Sequence, residues 1–227
     1  MEQDSFTLKT LFTRTWLPSL ISALGLLGVA YYVEYVANAY AFEYALRPTS
    51  NYVGDLILDS IPALDLNFFI VEGAFIAIAL GLIYVLSKPR SVLFTLKALA
   101  LLIMIRALFI SLTHVGIHPE SINPGLGFFD SIYLYLNFQT GLFFSGHTGL
   151  PFLIALVFWD NRRVRYILIA LSAAFGIAVL LAHIHYSIDV FAAPFMIYGI
   201  YKIAAYLFPR DYALHRRGQE MTHLPRP

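Results

Sequence analysis

The sequence predicts an all-α integral membrane protein: six transmembrane helices in one bundle, with both termini cytoplasmic. Two observations give the class and a third gives the orientation. Of 227 residues, 59% are apolar and 13% charged, about half the charged share of a soluble domain. The mean hydropathy is +0.71. So little polar surface cannot coat a water-soluble body, and lipid is the natural solvent. The apolar residues also gather into runs close to the roughly 20 needed to cross a hydrocarbon core of about 30 Å. The third observation is how Lys and Arg are shared between the segments joining those runs.

The expected spans are Trp16 to about Val36, Phe68–Leu86, Val92–Thr113, Gly141–Trp159, Tyr166–His183 and Ser187–Phe208. Ala37-Asn38-Ala39 resembles a signal-peptidase site. The apolar stretch before it is too long for a signal-peptide core, so the first helix is expected to stay uncleaved. Lys9 and Arg14 precede the first span, and Lys88 and Arg90 separate the second and third. Arg162, Arg163 and Arg165 separate the fourth and fifth, and Arg210, Arg216, Arg217 and Arg226 follow the sixth. The opposite side carries Arg47 alone. Positive residues favour the cytoplasmic side, which fixes the expected topology.

Residues 1–210 are read as one membrane domain and 211–227 as a polar cytoplasmic tail touching anionic lipid through Arg216 and Arg217. The outer segment 114–140 contains His114, His118 and the stretch Phe128–Leu136, the latter expected as an interfacial helix. His114 and His118 read as interfacial hydrogen-bonding groups. The chain has no cysteine, which excludes disulfides, thiolate metal sites and cysteine nucleophiles. A net charge of +1 gives no reason to expect a nucleic-acid partner.

Ionisable residues inside spans are costly and therefore functional suspects. Arg106 lies roughly 10 Å below the outer end of the third span, and Glu72 roughly 6 Å below that of the second. The two could meet as an ion pair, or Arg106 could snorkel outward. Lys97 and Lys202 lie near the cytoplasmic ends and are expected to snorkel. At the outer end of the fourth span stand Ser145, Gly146 and His147; Gly146 allows close backbone approach to a ligand. His185 and Asp189 are four apart at the start of the sixth span and share a helix face. A carboxylate on one ring nitrogen fixes the tautomer and makes the other nitrogen the better base or nucleophile. A zinc site built from His147, His183, His185 and Asp189 is the rival reading. His183 and His185 are two apart and diverge on a helix, which argues for no metal.

Phe144-Ser145-Gly146-His147-Thr148 and Ala182-His183-Ile184-His185-Tyr186-Ser187-Ile188-Asp189-Val190 resemble the two catalytic motifs of the sphingomyelin synthase-like branch of the type 2 phosphatidic acid phosphatase superfamily. Gly54–Pro62 weakly resembles that branch's first loop motif, and Arg106–Thr113 its arginine-rich second motif. Where the branch's sphingolipid enzymes usually carry Cys-Gly-Asp, the chain reads Gln139-Thr140-Gly141. The Ser-Arg pair of the ordinary phosphatase branch is missing, with Val179 six residues before His185.

The resemblance implies a His-His-Asp triad at the extracytoplasmic face and needs no cofactor. His185 would be the nucleophile oriented by Asp189, and His147 the acid and base. Arg106, Ser145 and Gly146 would bind the phosphate, with Glu72 and Tyr186 in support. The implied partners are the bilayer and a lipid from its outer leaflet. The implied activity is headgroup transfer or phospholipase C-type cleavage through a phosphohistidine. A lipid phosphomonoesterase acting on phosphatidic acid or polyprenyl phosphate is the alternative. A membrane transporter is the alternative of another class, but no pair of Gly/Pro-interrupted helices at the midplane points to one. The expected location is a bacterial inner membrane, with the site facing the periplasm or exterior. The chain lacks cysteine, so Ser121→Cys supplies a single label. An impermeant maleimide added outside intact cells is expected to modify it, and reaction only from the cytoplasmic side would overturn the topology.

Overall fold

The computed structural model describes residues 6–45, 47, 52–113, 115–122 and 143–223. After a 3-10 turn at Leu8–Phe12 come α1 (Leu17–Ala45), α2 (Asn67–Leu86), α3 (Pro89–Leu112), α4 (Gly146–Val157), α5 (Arg162–Leu181), α6 (Ser187–Leu207) and α7 (Pro209–His223). No strand occurs among the described residues. α1, α2, α3, α5 and α6 are long and apolar enough to cross a membrane, and α4 is a shorter apolar helix of 12 residues.

α3 is the axis of the bundle. It runs along α1, carries α7 near its start and touches α6 and α4 on another side, while α4 packs between α5 and α6. Its Leu93 and Phe94 are fully buried, together with Leu153, Ile197 and Ile200 of the neighbouring helices. Lipid is as apolar as leucine, so close fit rather than water exclusion selects the faces that meet. Ala37 and Ala41 of α1 accordingly pack with Ala107 and Ile110 of α3. At Gly176 a Cβ would stand 2.9 Å from Val190 Cγ1, and at Gly149 one would stand 3.1 Å from Ile197 Cδ1. Large apolar side chains such as Phe68, Phe195 and Tyr206 face outward, where lipid would meet them.

Several helix bounds depart from the sequence expectation. α1 continues nine residues past Val36, straight through Ala37-Asn38-Ala39. α4 begins at Gly146 and ends at Val157, short of the expected Gly141–Trp159. Its start is set by Ser145, whose side chain accepts from Thr148 N at 3.3 Å. After its end, Asn161 caps α5 by accepting from Val164 N at 3.2 Å. At 1.5 Å per residue α4 is only about 18 Å long. The aromatic stretch Phe128–Leu136, residues Gln139-Thr140-Gly141 and His114 lie outside the described residues.

The cytoplasmic-end expectations need two corrections. Lys97 does not snorkel: it is buried, its Nζ donating to Asp211 Oδ2 at 2.6 Å and to Ser19 Oγ at 2.9 Å. Lys202, by contrast, is exposed. The polar stretch expected as a tail is helical from Asp211 to His223. α7 lies against α3, with His215 Nδ1 3.0 Å from Ser91 Oγ and its ring stacked on Phe94. Gln219 Nε2 donates to the Val157 carbonyl at 3.0 Å. Composition hid this, because α7 is polar overall and only its packed face is buried. Breaking a buried pair strands a charge, at a cost of about 3–5 kcal/mol. Asp211→Ala is therefore expected to lower the thermal midpoint strongly. Lys97→Met combined with Asp211→Leu should recover most of the loss. A midpoint unchanged in Asp211→Ala would show that the pair does not hold α7.

Candidate active site

The turn that links α5 to α6 delivers one histidine motif. α5 ends at Leu181, and His183 closes the turn with φ at 55°, a conformation uncommon outside glycine and asparagine. Its amide bonds the Leu180 carbonyl, and the next amide bonds that of Val179. The chain then enters α6 at Tyr186, and Asp189 of the first turn folds back. Its Oδ2 accepts from the Tyr186 amide at 3.1 Å and lies 3.2 Å from His185 Nδ1. With Nδ1–H on the carboxylate, the lone pair of the ring is on Nε2. Asp189 and His185 are both buried.

The other motif is tied to the first through the same residue. The Ser145 amide donates to the backbone carbonyl of Asp189 at 3.0 Å. This bond sets the start of α4 beside the start of α6. His147, on the first turn of α4, has its ring 6.3 Å from that of His185, at 71° between planes. Behind α4, Ser172 Oγ of α5 donates to the Thr148 carbonyl at 2.6 Å, which fixes the helix that carries His147.

Arg106 reaches this place from α3. Its Nε donates to the Phe144 carbonyl at 3.2 Å. A Cβ on Gly146 would stand 3.7 Å from that same Nε. The guanidinium therefore lies against the N-terminus of α4, where unpaired amides and the helix dipole favour an anion. Six residues before the end of α3, Arg106 is about 9 Å down the helix, so the start of α4 that it touches is recessed below the end of α3.

The guanidinium's carboxylate partner is Glu34 of α1, bonded to Nη1. This corrects the expected pairing with Glu72. The reason is packing: α3 lies along α1 far more extensively than along α2. Glu72 stands on α2 with Oε2 buried and without a hydrogen-bond partner. Sequence reasoning missed Glu34, although an acid inside an apolar run was signal enough.

The segments that join the helices at this end of the bundle brace the site. Asp55 takes the Ser187 amide at 2.7 Å and the Ser187 hydroxyl at 2.8 Å, and so caps α6 from outside the helix. Its carboxylate also accepts from Ile57 N and Leu58 N. Burial pushes this carboxyl up, but the hydrogen bonds from Ser187, Leu58 and Ile57 outweigh burial and hold it below its ordinary value. Tyr186 donates its hydroxyl to the Gly116 carbonyl at 2.8 Å and accepts from Val53 N at 3.2 Å, joining two loops to the motif. Burial raises its pKa, which keeps the hydroxyl a donor. A cavity of about 370 Å³ lies among Asp55, Thr113, Phe143, Tyr186, Ser187 and Asp189.

His183 takes no part with His147. Its ring packs edge-on against His118 at 4.8 Å, with Nδ1 3.7 Å from Glu120 Oε2. His118 is itself buried, and its Nδ1 accepts from Glu120 N at 3.2 Å. The structure thus brings together His147, His185, Asp189, Ser145, Gly146 and Arg106, with Tyr186 bracing them, and leaves Glu72 apart from Arg106.

Removing the Asp55 carboxylate strands the Ser187 amide and hydroxyl. Asp55→Ala is expected to cost about 1.5–3 kcal/mol, as for hydrogen bonds to a charged group. A group with a lowered folded pKa contributes stability above its unfolded pKa and loses it as pH falls through the folded value. The wild-type advantage over Asp55→Ala should therefore be full above the ordinary value of 3.8 and shrink in more acidic solution. Thermal midpoints measured against pH check both points, and equal midpoints at neutral pH would contradict the cap.

Residues 140–206 match the family model described as PAP2 superfamily C-terminal. The matched stretch is under a third of the chain, yet it includes Ser145, His147, His185 and Asp189. No curated protein and no solved structure gives a significant match. The family match supports the type 2 phosphatidic acid phosphatase superfamily, whose members are generally phosphatases or phosphotransferases.

Proposed function

We propose that the chain is a membrane lipid phosphotransferase or phospholipase C-type hydrolase, of the sphingomyelin synthase-like kind, that works through a phosphohistidine. The observation that carries this reading is the pair of facing histidines. Their rings are 6.3 Å apart, one is backed by a carboxylate at 3.2 Å, and an arginine lies at the adjoining helix N-terminus. A phosphoryl group bound at the edges of both rings would lie within reach of both imidazoles.

In the first step the His185 Nε2 lone pair attacks phosphorus as the bond from phosphorus to the glycerol oxygen breaks. His147, which takes up a proton as the phosphate anion settles beside it, gives that proton to the oxygen, and diacylglycerol leaves. Asp189 holds Nδ1–H of His185, so the ring bears the new N–P bond in the right orientation. In the second step His147 takes a proton from water or an alcohol. The freed oxygen pair attacks phosphorus, the N–P bond breaks, and His185 returns to its starting state. Arg106 and the first amides of α4 stabilise the negative charge that builds on the phosphoryl oxygens. The lipid would present its headgroup from the outer leaflet, on the side opposite the cytoplasm. The recessed start of α4 suits a headgroup that dips below the rim while its chains stay in lipid.

The test is purified protein in detergent with a panel of phosphodiester and phosphomonoester lipids, separating free phosphate, phospho-headgroup and diacylglycerol. His185→Ala and His147→Ala are each expected to reduce turnover about 10²–10⁴-fold, with Asp189→Asn also impaired. Full turnover in both histidine variants would sink the mechanism. Quenching with headgroup-labelled lipid should leave an acid-labile label on His185. A bare phosphate trapped there, with turnover confined to phosphomonoesters, would instead mark a lipid phosphomonoesterase.

A further inference from the structure

We infer that Glu34, in the first span, is a positioning residue that sets the Arg106 guanidinium over the N-terminus of α4, where a phosphoryl oxygen would bind. The inference rests on the phosphoryl-transfer reading of the site. A guanidinium is a rigid plane of donors on a flexible stem. One anchor leaves that plane free to turn, and two anchors on different elements fix it. Arg106 has both: Glu34 of α1 holds Nη1 and the Phe144 carbonyl holds Nε. The second anchor immediately precedes Ser145-Gly146, so the fixed plane is fixed relative to α4.

The pair is not needed to join α1 to α3. Ala37 and Ala41 already pack with Ala107 and Ile110 at the same level. The two charged side chains are 11% and 8% exposed, and burying such a pair rarely stabilises more than well-packed apolar residues would. A costly pair where packing already suffices, touching the loop that opens the Ser-Gly-His helix, points to function. Lys97 and Asp211 show the contrast: that pair holds α7 in place and lies at the other end of α3.

Positioning depends on reach, whereas a counterion role depends on charge. Glu34→Gln keeps the length and the accepting oxygen. Glu34→Asp keeps the charge and withdraws the carboxylate by one carbon–carbon bond. The probe is orthovanadate, a phosphoryl mimic, titrated calorimetrically into the full-length protein in detergent, with thermal midpoints recorded in parallel. Glu34→Gln should bind within about threefold of wild type. Glu34→Asp and Glu34→Ala should each bind about tenfold more weakly. In an Arg106→Ala background, Glu34→Ala should cause no further loss, because it acts only through the arginine.

Tighter binding by the Asp variant than by the Gln variant would overturn the assignment. So would losses in Glu34→Ala and Arg106→Ala that simply multiply. If wild type and Glu34→Ala bind vanadate equally while Arg106→Ala does not, Glu34 fails alone and the phosphoryl site stands. If wild type itself binds no vanadate, the phosphoryl reading falls and the role of Glu34 with it.

Discussion

Asp189 is the residue on which the two histidine motifs depend for being one site. Its carboxylate holds the His185 ring and the Tyr186 amide, and its carbonyl holds the Ser145 amide. The side chain therefore orients one histidine while the backbone of the same residue sets the helix that carries the other. Displacing the first turn of α6 would change the His147–His185 separation and the tautomer together. This explains why so many bonds from the connecting segments converge there. Asp55 caps Ser187, Tyr186 ties down Val53 and Gly116, and the Leu64 and Ile122 amides bond the carbonyls of Leu181 and Ala182 at the end of α5.

Lipid as solvent accounts for much of the remaining design. A charge away from water needs a partner, and each buried cation described here has one: Lys97 has Asp211 and Arg106 has Glu34. The two pairs sit toward opposite ends of α3, and they do different work. The first docks a polar helix on the bundle. The second lies against the start of α4, whose place below the end of α3 leaves a recess. A phosphate headgroup drawn into that recess would meet amides, a guanidinium and two imidazoles with little water to compete, which strengthens each electrostatic contact.

What was legible in the sequence follows from what sequence periodicity encodes. Hydropathy reports whether a segment prefers lipid, so α2, α3, α5 and α6 stand close to their expected bounds. Helical spacing reports which side chains share a face, so the His185–Asp189 contact could be read from four residues' separation. Depth could be counted too, and it put Arg106 level with His147. The azimuth of a helix, meaning which neighbour a given face meets, is fixed by packing and leaves no mark in a count of residues. That is why Arg106 was assigned to Glu72 when α3 in fact faces α1. The same gap hid Lys97 under α7, because a polar helix with a single packed face has the composition of a tail. α4 was overdrawn because apolar residues on both sides of it continue beyond the Ser145 cap.

The family match covers residues 140–206, the segment containing both histidines and Asp189. Three of the groups that complete the site come from elsewhere: Arg106 from α3, Glu34 from α1 and Asp55 from the segment between α1 and α2. The division has a physical logic. Bond-making chemistry needs groups held to fractions of an ångström, and neighbouring turns joined by one short connection provide that most directly. Orienting a phosphate and bracing a helix terminus depend on contacts that can be supplied from any helix packed nearby. The N-terminal half of this chain is therefore where variation in what the site accepts would be least constrained by the histidine chemistry. Glu34 stands at the junction: it lies outside the matched segment, yet through Arg106 it is one side chain away from it.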